Sequence, residues 1–502
     1  MGNFLEKLKI KKNGLTKGEI AELLKTNPEA LEAFEKAYTI HVLDPDVDTG
    51  NLFDMDRRSA KASEDSERKK QADETGEEET EQSDSEQDEK QLVMVDNLVR
   101  RIVDELIDQT VLYTYSKKGH GYEKLSLPGD HTPVKAEEIY ALPENLQPQL
   151  TGHMMKRDMD ELVYPELLKA YKDYKTAKSP ERRMGAYHTF RQGVDILDLD
   201  PILYEILGTN PNAMGYWFPA LVPAVEEQDF FQIPDTKIIK VPLPMLQMTR
   251  LEYGTLTPTT MRIVDEYCYK VFSLEEDKDY FVKTGTFSSK YNFRNAHVKG
   301  AKEVRELGEY LLFIQSQACT AAGPLSQPSI YGISTTNEWV VREYIKDVEN
   351  NPCIYQGIPL HTEYRVFVDF DTDEILGIHP YWDPDVMKRR LGHEEDADSP
   401  HNIHDYTIFQ MHEETLMSRY HANKDRVLHH MKELLPGVNL SGQWSVDVMQ
   451  NGNDFYIIDM ALAAQSAFCE CIPDGKLKAI EEDWMPRIPE TGTKINNKIE
   501  RR

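Results

Sequence analysis

From Lys237 onward, short apolar runs of strand type alternate with helical stretches, and this alternation limits the possible folds more than any other feature of the chain. Such alternation implies an α/β or α+β architecture, and we expect the α+β class. The predicted strands cover residues 237–243, 280–283, 338–345, 361–369, 374–379, 443–449 and 454–459, and the predicted helices cover 258–272, 300–318 and 413–434.

The chain before residue 236 is predicted to begin with a small helical region and an acidic linker. Residues 1–45 have the capping residues and the apolar spacing of a helical hairpin. Residues 46–91 are expected to form an acidic disordered linker. Within it, 61–90 holds 13 acidic and 5 basic residues and almost no apolar surface to offset the ordering entropy. The alternative is an acidic tail that docks on a basic partner.

Residues 92–235 are predicted to form a mostly helical accessory domain without a chemical motif. An apolar stripe of helical spacing runs through 91–114, and further helical patterns run through about 160–207. The apolar, proline-broken stretch at 216–223 is expected to be a packed loop.

The composition favours a soluble cytoplasmic protein. The formal net charge of −29 argues against general binding to nucleic acids or membranes, which needs a basic surface. The five cysteines include no C-x-x-C pair, so neither a disulfide framework nor a zinc ribbon is expected. No apolar run approaches the ~18–20 residues of a membrane span, and the first residues lack the apolar core of a signal peptide.

A strand that ends in Lys283 continues into a small polar loop with Ser288, Ser289 and Lys290. A buried lysine is costly unless an anion meets it, and a nucleotide phosphate would be such an anion. The glycine in the loop would let backbone amides approach phosphate oxygens. The spacing of a Walker A loop is missing, so a plain strand entering a surface turn is the alternative.

Two further strands offer groups to a nucleotide. One is apolar and ends in Glu343-Tyr344-Ile345, whose backbone could meet an adenine edge, unless it is simply a core strand with an exposed end. In the next, alternation puts Glu363 and Arg365 on one face. In a cleft, Arg365 would grip a terminal phosphate with its planar guanidinium group, whereas on an open sheet it would be solvated.

Asp447 and Asp459 lie 12 residues apart around an Asn-Gly-Asn turn, and a hairpin would bring both to one point. Two carboxylates this close repel unless a proton or a cation separates them. Because Mg²⁺ prefers carboxylate oxygens and substrate phosphates, the pair predicts a metal site. Gln465 and Ser466 could add neutral oxygen ligands, and an aspartate that merely caps a turn is the alternative.

These motifs, in this order, resemble the ATP-grasp superfamily over about residues 237–470. Within that superfamily, the motif pattern is most similar to the eukaryotic ATP-grasp chaperones that assemble a translation initiation factor. The resemblance implies a domain at 236–490 in which two α+β subdomains enclose a cleft for ATP and Mg²⁺. It further implies phosphate contacts from Lys283, an adenine hinge at Glu343 to Ile345, contacts of Arg365 with the outer phosphates, and Mg²⁺ ligation by Asp447 and Asp459.

One position departs from the family pattern. ATP-grasp proteins usually end in an acid-x-Asn motif whose asparagine binds metal, and this chain has Asp459-Met460-Ala461 instead. Either Gln465 or Ser466 substitutes for the asparagine or one metal site is weakened. The departure weighs against catalysis more than against nucleotide binding.

The resemblance leaves two functions open. The first is an ATP-dependent ligase that activates a carboxylate as an acyl phosphate for attack by an amine or a similar nucleophile, with Arg365 and Lys283 as catalytic cations. The alternative is an ATP-bound protein-assembly or binding module without ligation. The acceptor, a small molecule or a protein, is not named by any motif.

Overall fold

The computed structural model describes residues 81–126, 128–129, 131–132, 134–149, 178–179, 182, 208, 210–248, 253–321, 336–392 and 400–479. The chain divides into two compact units, Met1–Leu98 with Asp160–Val163 and Val99–Met159 with Tyr164–Arg502. Of the first unit, only residues 81–98 are described. The predicted helical hairpin at 1–45 and almost all of the predicted helices at 160–207 lie outside the described residues.

The strands, numbered in chain order, are β1 (Val111–Ser116), β2 (Gly119–Lys124), β3 (Phe231–Gln232), β4 (Thr236–Lys240), β5 (Asp279–Thr284), β6 (His297–Lys299), β7 (Glu338–Glu343), β8 (Cys353–Ile354), β9 (Ile358–Pro359), β10 (Thr362–Asp369), β11 (Glu374–Pro380), β12 (Gln443–Asn451) and β13 (Asp454–Leu462). The helices are α1 (Glu81–Asp108), α2 (Ala136–Tyr140), α3 (Met214–Glu226), α4 (Leu243–Met248), α5 (Pro258–Phe272), α6 (Gly300–Arg305), α7 (Leu307–Ala321), α8 (Pro384–Leu391) and α9 (Pro400–Leu434).

The described part of the chain is mixed α and β, which agrees with the expected α+β class. A six-stranded antiparallel sheet has the order β2-β1-β4-β7-β5-β6. A five-stranded sheet has the order β11-β10-β12-β13-β3, and only its β13–β3 pair is parallel. The strands β8 and β9 form a separate small hairpin.

One hydrophobic core connects both sheets with α3 and α9. It includes Val340 from the six-stranded sheet, Tyr364 and Val446 from the five-stranded sheet, Trp217 from α3 and Val427 from α9. All of them are almost fully buried. Burial of each large apolar side chain stabilises the fold by about 1.5–3 kcal/mol, so this core fixes the two sheets relative to each other.

The strands predicted after residue 236 are confirmed, with small shifts at their ends, but two predicted helices differ. Residues 300–318 form two helices, α6 and α7, and the helix predicted at 413–434 begins at Pro400 as α9. All seven predicted strands occur as β4, β5, β7, β10, β11, β12 and β13. The helix predicted at 258–272 occurs as α5, and its cap is Thr257, whose side chain accepts a hydrogen bond from the Thr260 amide at 3.2 Å. Local propensity and capping chemistry therefore suffice for these strands and for α5.

The predicted helical stripe at 91–114 is correct only as far as Asp108. From Val111 the chain forms β1, because Val-Leu-Tyr-Thr-Tyr alternates β-branched and aromatic residues, which favour a pleated strand. The stretch 81–91, which the sequence assigns to the disordered linker, belongs to α1 in the structure. Its acidic residues lie in the first turns of the helix, where negative charge is favourable.

The stretch predicted as a packed loop at 216–223 is instead part of α3, with Pro219 and Pro223 inside the helix. An interior proline costs about 3 kcal/mol or more, because it removes a backbone hydrogen bond. Trp217 and Phe218 are fully buried in this helix. Their burial, worth about 1.5–3 kcal/mol each, offsets much of that cost.

The sheets also join residues from both sides of the predicted domain boundary at 235/236. The strand β1 pairs with β4, and β3 pairs with β13. The described strands before residue 236 thus share sheets with strands that follow it. Pairing between strands so distant in the chain is not visible in local sequence patterns. Within the described residues, no helix is both long enough and apolar enough to cross a lipid bilayer.

Candidate functional site

One cleft is lined by residues from both main sheets, and it gathers most of the predicted site. Eight of the ten predicted residues line it, namely Lys283, Ser288, Lys290, Glu343, Tyr344, Ile345, Asp447 and Asp459. The predicted residue Arg365 lines a small adjoining chamber that shares Asp447 and Asp459 with the cleft. The motifs are thus brought together by the fold, although they are spread over more than 150 residues of sequence.

Ser289 is the predicted residue that the structure turns away from the cleft. Its backbone is left-handed, with φ of +47°, and its side chain is buried. Its hydroxyl donates a hydrogen bond of 2.6 Å to Gln317 in α7. Ser289 therefore anchors the loop, and the neighbouring Ser288 is the serine that faces the cleft.

The charged residues form a row across three adjacent strands. In the strand register, Arg365 of β10 lies opposite Asp447 of β12, and Asp447 lies opposite Asp459 of β13. Side chains of directly opposite residues lie within contact distance on one face of a sheet. The prediction that the hairpin brings the two aspartates to one point is confirmed.

Each aspartate has its own cation, which corrects the expectation of two mutually repelling carboxylates. Arg365 donates from Nε and Nη2 to the two oxygens of Asp447, both at 2.7 Å. Lys283 of β5 is 2% exposed, and its Nζ lies 3.1 Å from Asp459 Oδ1. Lys283 is therefore already paired without a nucleotide, and it connects the two sheets across the cleft.

The surroundings of these pairs differ in solvent exposure. The Asp447 side chain is 9% exposed, and the Asp459 side chain is 40% exposed. Burial alone would lower the pKa of Arg365, but the charge of Asp447 and its hydrogen bonds raise that pKa overall. The Arg365–Asp447 pair is thus a fixed, buried unit, whereas Asp459 remains open to a cation from solvent.

The far end of the cleft is apolar and offers one backbone donor. The amides of Glu343 and Tyr344 donate to Asp235 O at 2.8 Å and to Asp279 O at 2.9 Å. The Ile345 amide has no partner among the described residues. Phe281 also lines this end. An apolar wall beside one free N–H is suited to a planar heterocyclic base.

Arg342, the residue before Glu343, connects the two sheets. It is buried, and it donates to Ile458 O at 2.6 Å and to Thr236 Oγ1 at 3.2 Å. Burial lowers the pKa of Arg342 to about 10. Its donors are used by protein groups, so its role is structural.

Glu363 lines the cleft near Lys290 and Asp447, and its sequence pattern predicted its face of the strand but no role. It is 7% exposed and accepts a hydrogen bond of 3.2 Å from the Trp382 indole. Burial raises the pKa of Glu363 to about 7, against the opposing charge of Lys290. Its spacing of two residues from Arg365 was the sequence signal that could have marked it.

Two groups of the site left no signal in the sequence. The ring of Tyr381 lies under both Lys290, at 4.1 Å from Nζ, and Arg365, at 4.9 Å from Cζ. Asn212, from the loop before α3, reaches the chamber and accepts a 2.7 Å hydrogen bond from the Leu462 amide. Tertiary packing brings both residues to the site, so no local motif could predict them.

The two candidate replacements for the missing asparagine ligand are engaged by protein groups. The Ser466 hydroxyl lies 2.7 Å from that of Ser445 and donates to Leu462 O at 3.0 Å. Gln465 accepts a hydrogen bond from the Asn212 side chain. Ala461 lines the chamber without a ligand atom. Within the described residues, the carboxylates on the row are thus Asp447 and Asp459.

No family model and no curated protein sequence matches the chain. Among solved structures it is similar to C-terminally truncated Cdc123 from Schizosaccharomyces pombe, at a TM-score of 0.33 and 11% identity over 54% of this chain and 94% of the other. It is also similar to Cdc123 from the same organism at a TM-score of 0.30 and 14% identity, over 54% and 96% of the two chains. TM-scores this low support no conclusion about fold or function.

Proposed function

We propose that the second unit binds ATP with Mg²⁺ in the cleft and serves as a nucleotide-dependent protein-assembly or binding module that does not ligate. The observation that carries this proposal is the row of Arg365, Asp447 and Asp459 on one sheet. Lys283 extends from the other sheet and forms an ion pair with Asp459 at the end of the row. Cations and paired carboxylates at one end, and an apolar wall with a free amide at the other, match the two ends of a nucleotide.

The residues divide into three roles. The Ile345 amide and the apolar wall would hold the adenine. Lys283, Lys290 and the Ser288 amide, which has no partner among the described residues, would meet the phosphates. Asp447 and Asp459 would hold Mg²⁺, which neutralises phosphate charge when it is bound. Because Asp459 is already paired with Lys283, nucleotide binding would exchange this ion pair for contacts with the ligand.

The metal ligands favour a module over a ligase. Phosphoryl transfer needs metal ions and cations that are fixed around the transferred group. Ala461 offers no side-chain ligand, and the side chains of Gln465 and Ser466 are engaged in hydrogen bonds with protein groups. The ligase remains the second candidate, because Arg365 and Lys283 supply the positive charge that such chemistry requires.

Isothermal titration calorimetry of the full chain with ATP, with and without MgCl₂, tests nucleotide binding. We expect Mg²⁺-dependent saturable heat, and we expect Lys283→Met to weaken binding by at least about 10-fold, as the loss of one charge-assisted contact predicts. The matched control is Lys302→Met, whose side chain is 79% exposed on α6. Absence of Mg²⁺-dependent heat from the folded wild-type chain would overturn the proposal.

Release of ADP separates the two candidate functions. The chain is incubated with Mg-ATP and with mixtures of amino acids and amines. A module releases ADP no faster than the Arg365→Lys variant under the same conditions. Acceptor-stimulated ADP release that Arg365→Lys abolishes would establish the ligase instead.

A further inference from the structure

A second groove lies beside the cleft and shares a wall with it. Lys290 lines the cleft, whereas the next residue, Tyr291, lines the groove. In the same way, Ile358 of β9 lines the cleft, and Tyr355 in the β8–β9 turn lines the groove. The groove has a volume of about 650 Å³, which is room for several side chains.

Among the described residues that line the groove, Arg390 is the one lysine or arginine, in a chain whose formal charge is −29. The guanidinium carbon of the exposed Arg390 lies 4.0 Å from the centre of the Tyr291 ring. Burial would raise the pKa of Tyr291, but the charges of Lys290, Arg390 and Arg365 lower it overall. Within the described residues, no carboxylate forms an ion pair with Arg390.

Tyr355 provides a hydroxyl whose proton has no acceptor. The residue is 7% exposed, and its buried O–H meets no acceptor among the described residues. Burial raises the pKa of Tyr355 to about 12, so the hydroxyl is a proton donor at neutral pH. A ligand acceptor in the groove would satisfy this buried donor, which otherwise loses its hydrogen bond to water on folding.

The backbone turn that positions this hydroxyl is conformationally strained. Tyr355 and Gln356 have left-handed φ values of +48° and +62°, which non-glycine residues rarely adopt. The Tyr355 amide donates to Asp405 Oδ2, and its carbonyl accepts from the Phe293 amide, both at 2.9 Å. The strained turn is thus fixed from two sides.

Asp405 is a carboxylate that lines the groove, and its charge has partners of its own. Its Oδ2 accepts from the Tyr355 amide, and its Oδ1 lies 3.0 Å from His404 Nδ1. The groove therefore still presents Arg390 and the Tyr355 hydroxyl as donors to a ligand.

We propose that this groove binds a carboxylate side chain from an acidic segment of a protein partner, with Arg390 and the Tyr355 hydroxyl as its donors. A planar guanidinium group and one hydroxyl match the two oxygens of a carboxylate. A phosphate would call for more donors than these two. The proposal deepens the proposed function, because a partner held here would lie next to the nucleotide.

Fluorescence anisotropy of the full chain with a labelled peptide of alternating Asp and Glu tests this site. We expect saturable binding that the matched Asn/Gln peptide lacks. Arg390→Gln should weaken the affinity at least about 10-fold, and Tyr355→Phe, which keeps the ring, should weaken it about 3- to 10-fold. Arg389→Gln, the neighbouring exposed arginine outside the groove lining, should stay within about 2-fold.

Three outcomes would overturn the proposal. They are no saturable binding by the wild-type chain, equal losses for Arg389→Gln and Arg390→Gln, and displacement of the peptide by inorganic phosphate at lower concentration than by acetate. Thermal melting confirms that each variant is folded. Peptide binding and Mg-ATP binding are both measured on the wild-type chain. Saturable peptide binding by a wild-type chain that gives no Mg²⁺-dependent heat with ATP would refute the proposed nucleotide site alone, whereas Mg-ATP binding without peptide binding would refute the groove alone.

Discussion

Arg365 and Lys283 reach almost complete burial because each has a carboxylate partner on a neighbouring strand or sheet. The two ion pairs differ in the solvent exposure of the carboxylate. Asp447 is buried and accepts two hydrogen bonds from Arg365, whereas Asp459 is half exposed. A buried partner is much more costly to remove than an exposed one, since the remaining charge cannot be solvated.

Asp447→Asn should destabilise the chain without nucleotide by about 3 kcal/mol, because it leaves the Arg365 guanidinium buried without a counter-charge. Urea denaturation measures this loss. The control is Asp474→Asn, at an exposed position, which should change the free energy of unfolding by less than about 0.5 kcal/mol. Equal or higher stability of Asp447→Asn would show that repulsion between the aspartates outweighs the arginine pair.

Glu363→Gln should alter how stability depends on pH. The folded pKa of about 7 lies above the ordinary 4.5, so the folded chain holds this proton more tightly than the unfolded chain. Wild-type stability should therefore fall as pH rises from about 4.5 to about 7, by up to about 3 kcal/mol, and the neutral glutamine should remove this loss. Urea denaturation at pH 5 and pH 8 measures the free energy of unfolding of both proteins. A wild-type chain that is more stable than Glu363→Gln at pH 8 would contradict the prediction.

At Gly308 the helix α7 lies directly against the backbone of α5. A Cβ there would lie 2.6 Å from both the carbonyl carbon and the oxygen of Val264. Next to it, the Glu309 amide donates to Asp265 at 3.0 Å, which ties the start of α7 to α5. The absence of a side chain at Gly308 is therefore what lets the two helices pack behind β5, the strand that carries Lys283.

Gly308→Ala should destabilise the chain by about 2–3 kcal/mol, because backbone atoms cannot move aside as a flexible side chain can. Gly254→Ala is the matched control, since its added Cβ would meet nothing within 4 Å, and it should stay within about 0.5 kcal/mol of wild type. Chemical denaturation compares the two. Similar stabilities for both variants would mean that α7 shifts without cost.

The second unit depends on contacts between distant parts of the chain. The strand β1 lies inside the six-stranded sheet, between β2 and β4. The helix α3 contributes fully buried residues to the core that joins both sheets. The cleft therefore rests on elements that precede residue 236 as well as on those that follow it.

A fragment of residues 81–479 should fold and bind Mg-ATP as the full chain does, whereas a fragment of 230–479 should not fold. The shorter one lacks β1, β2 and α3, and the loss of several large buried side chains at about 1.5–3 kcal/mol each approaches the roughly 5–15 kcal/mol of total stability. Near-ultraviolet circular dichroism and calorimetry test both fragments. A folded 230–479 fragment that binds Mg-ATP would show that the earlier elements are dispensable.

The sequence alone determined the α+β class, seven strands and the helix α5 after residue 236, and the hairpin that brings Asp447 and Asp459 together. These features depend on spacing, capping and turn chemistry within a few residues, which a local pattern records. The roles of the cleft residues toward ATP and Mg²⁺ stay predictions.

The tertiary structure alone decided which partners these residues have. It made α3 a helix despite its prolines, placed β1 inside a sheet, turned Ser289 away from the cleft and gave Lys283 a carboxylate partner. Each of these outcomes depends on groups that lie far apart in sequence. Burial and long-range pairing outweigh local propensity there, and no short segment of the chain contains that information.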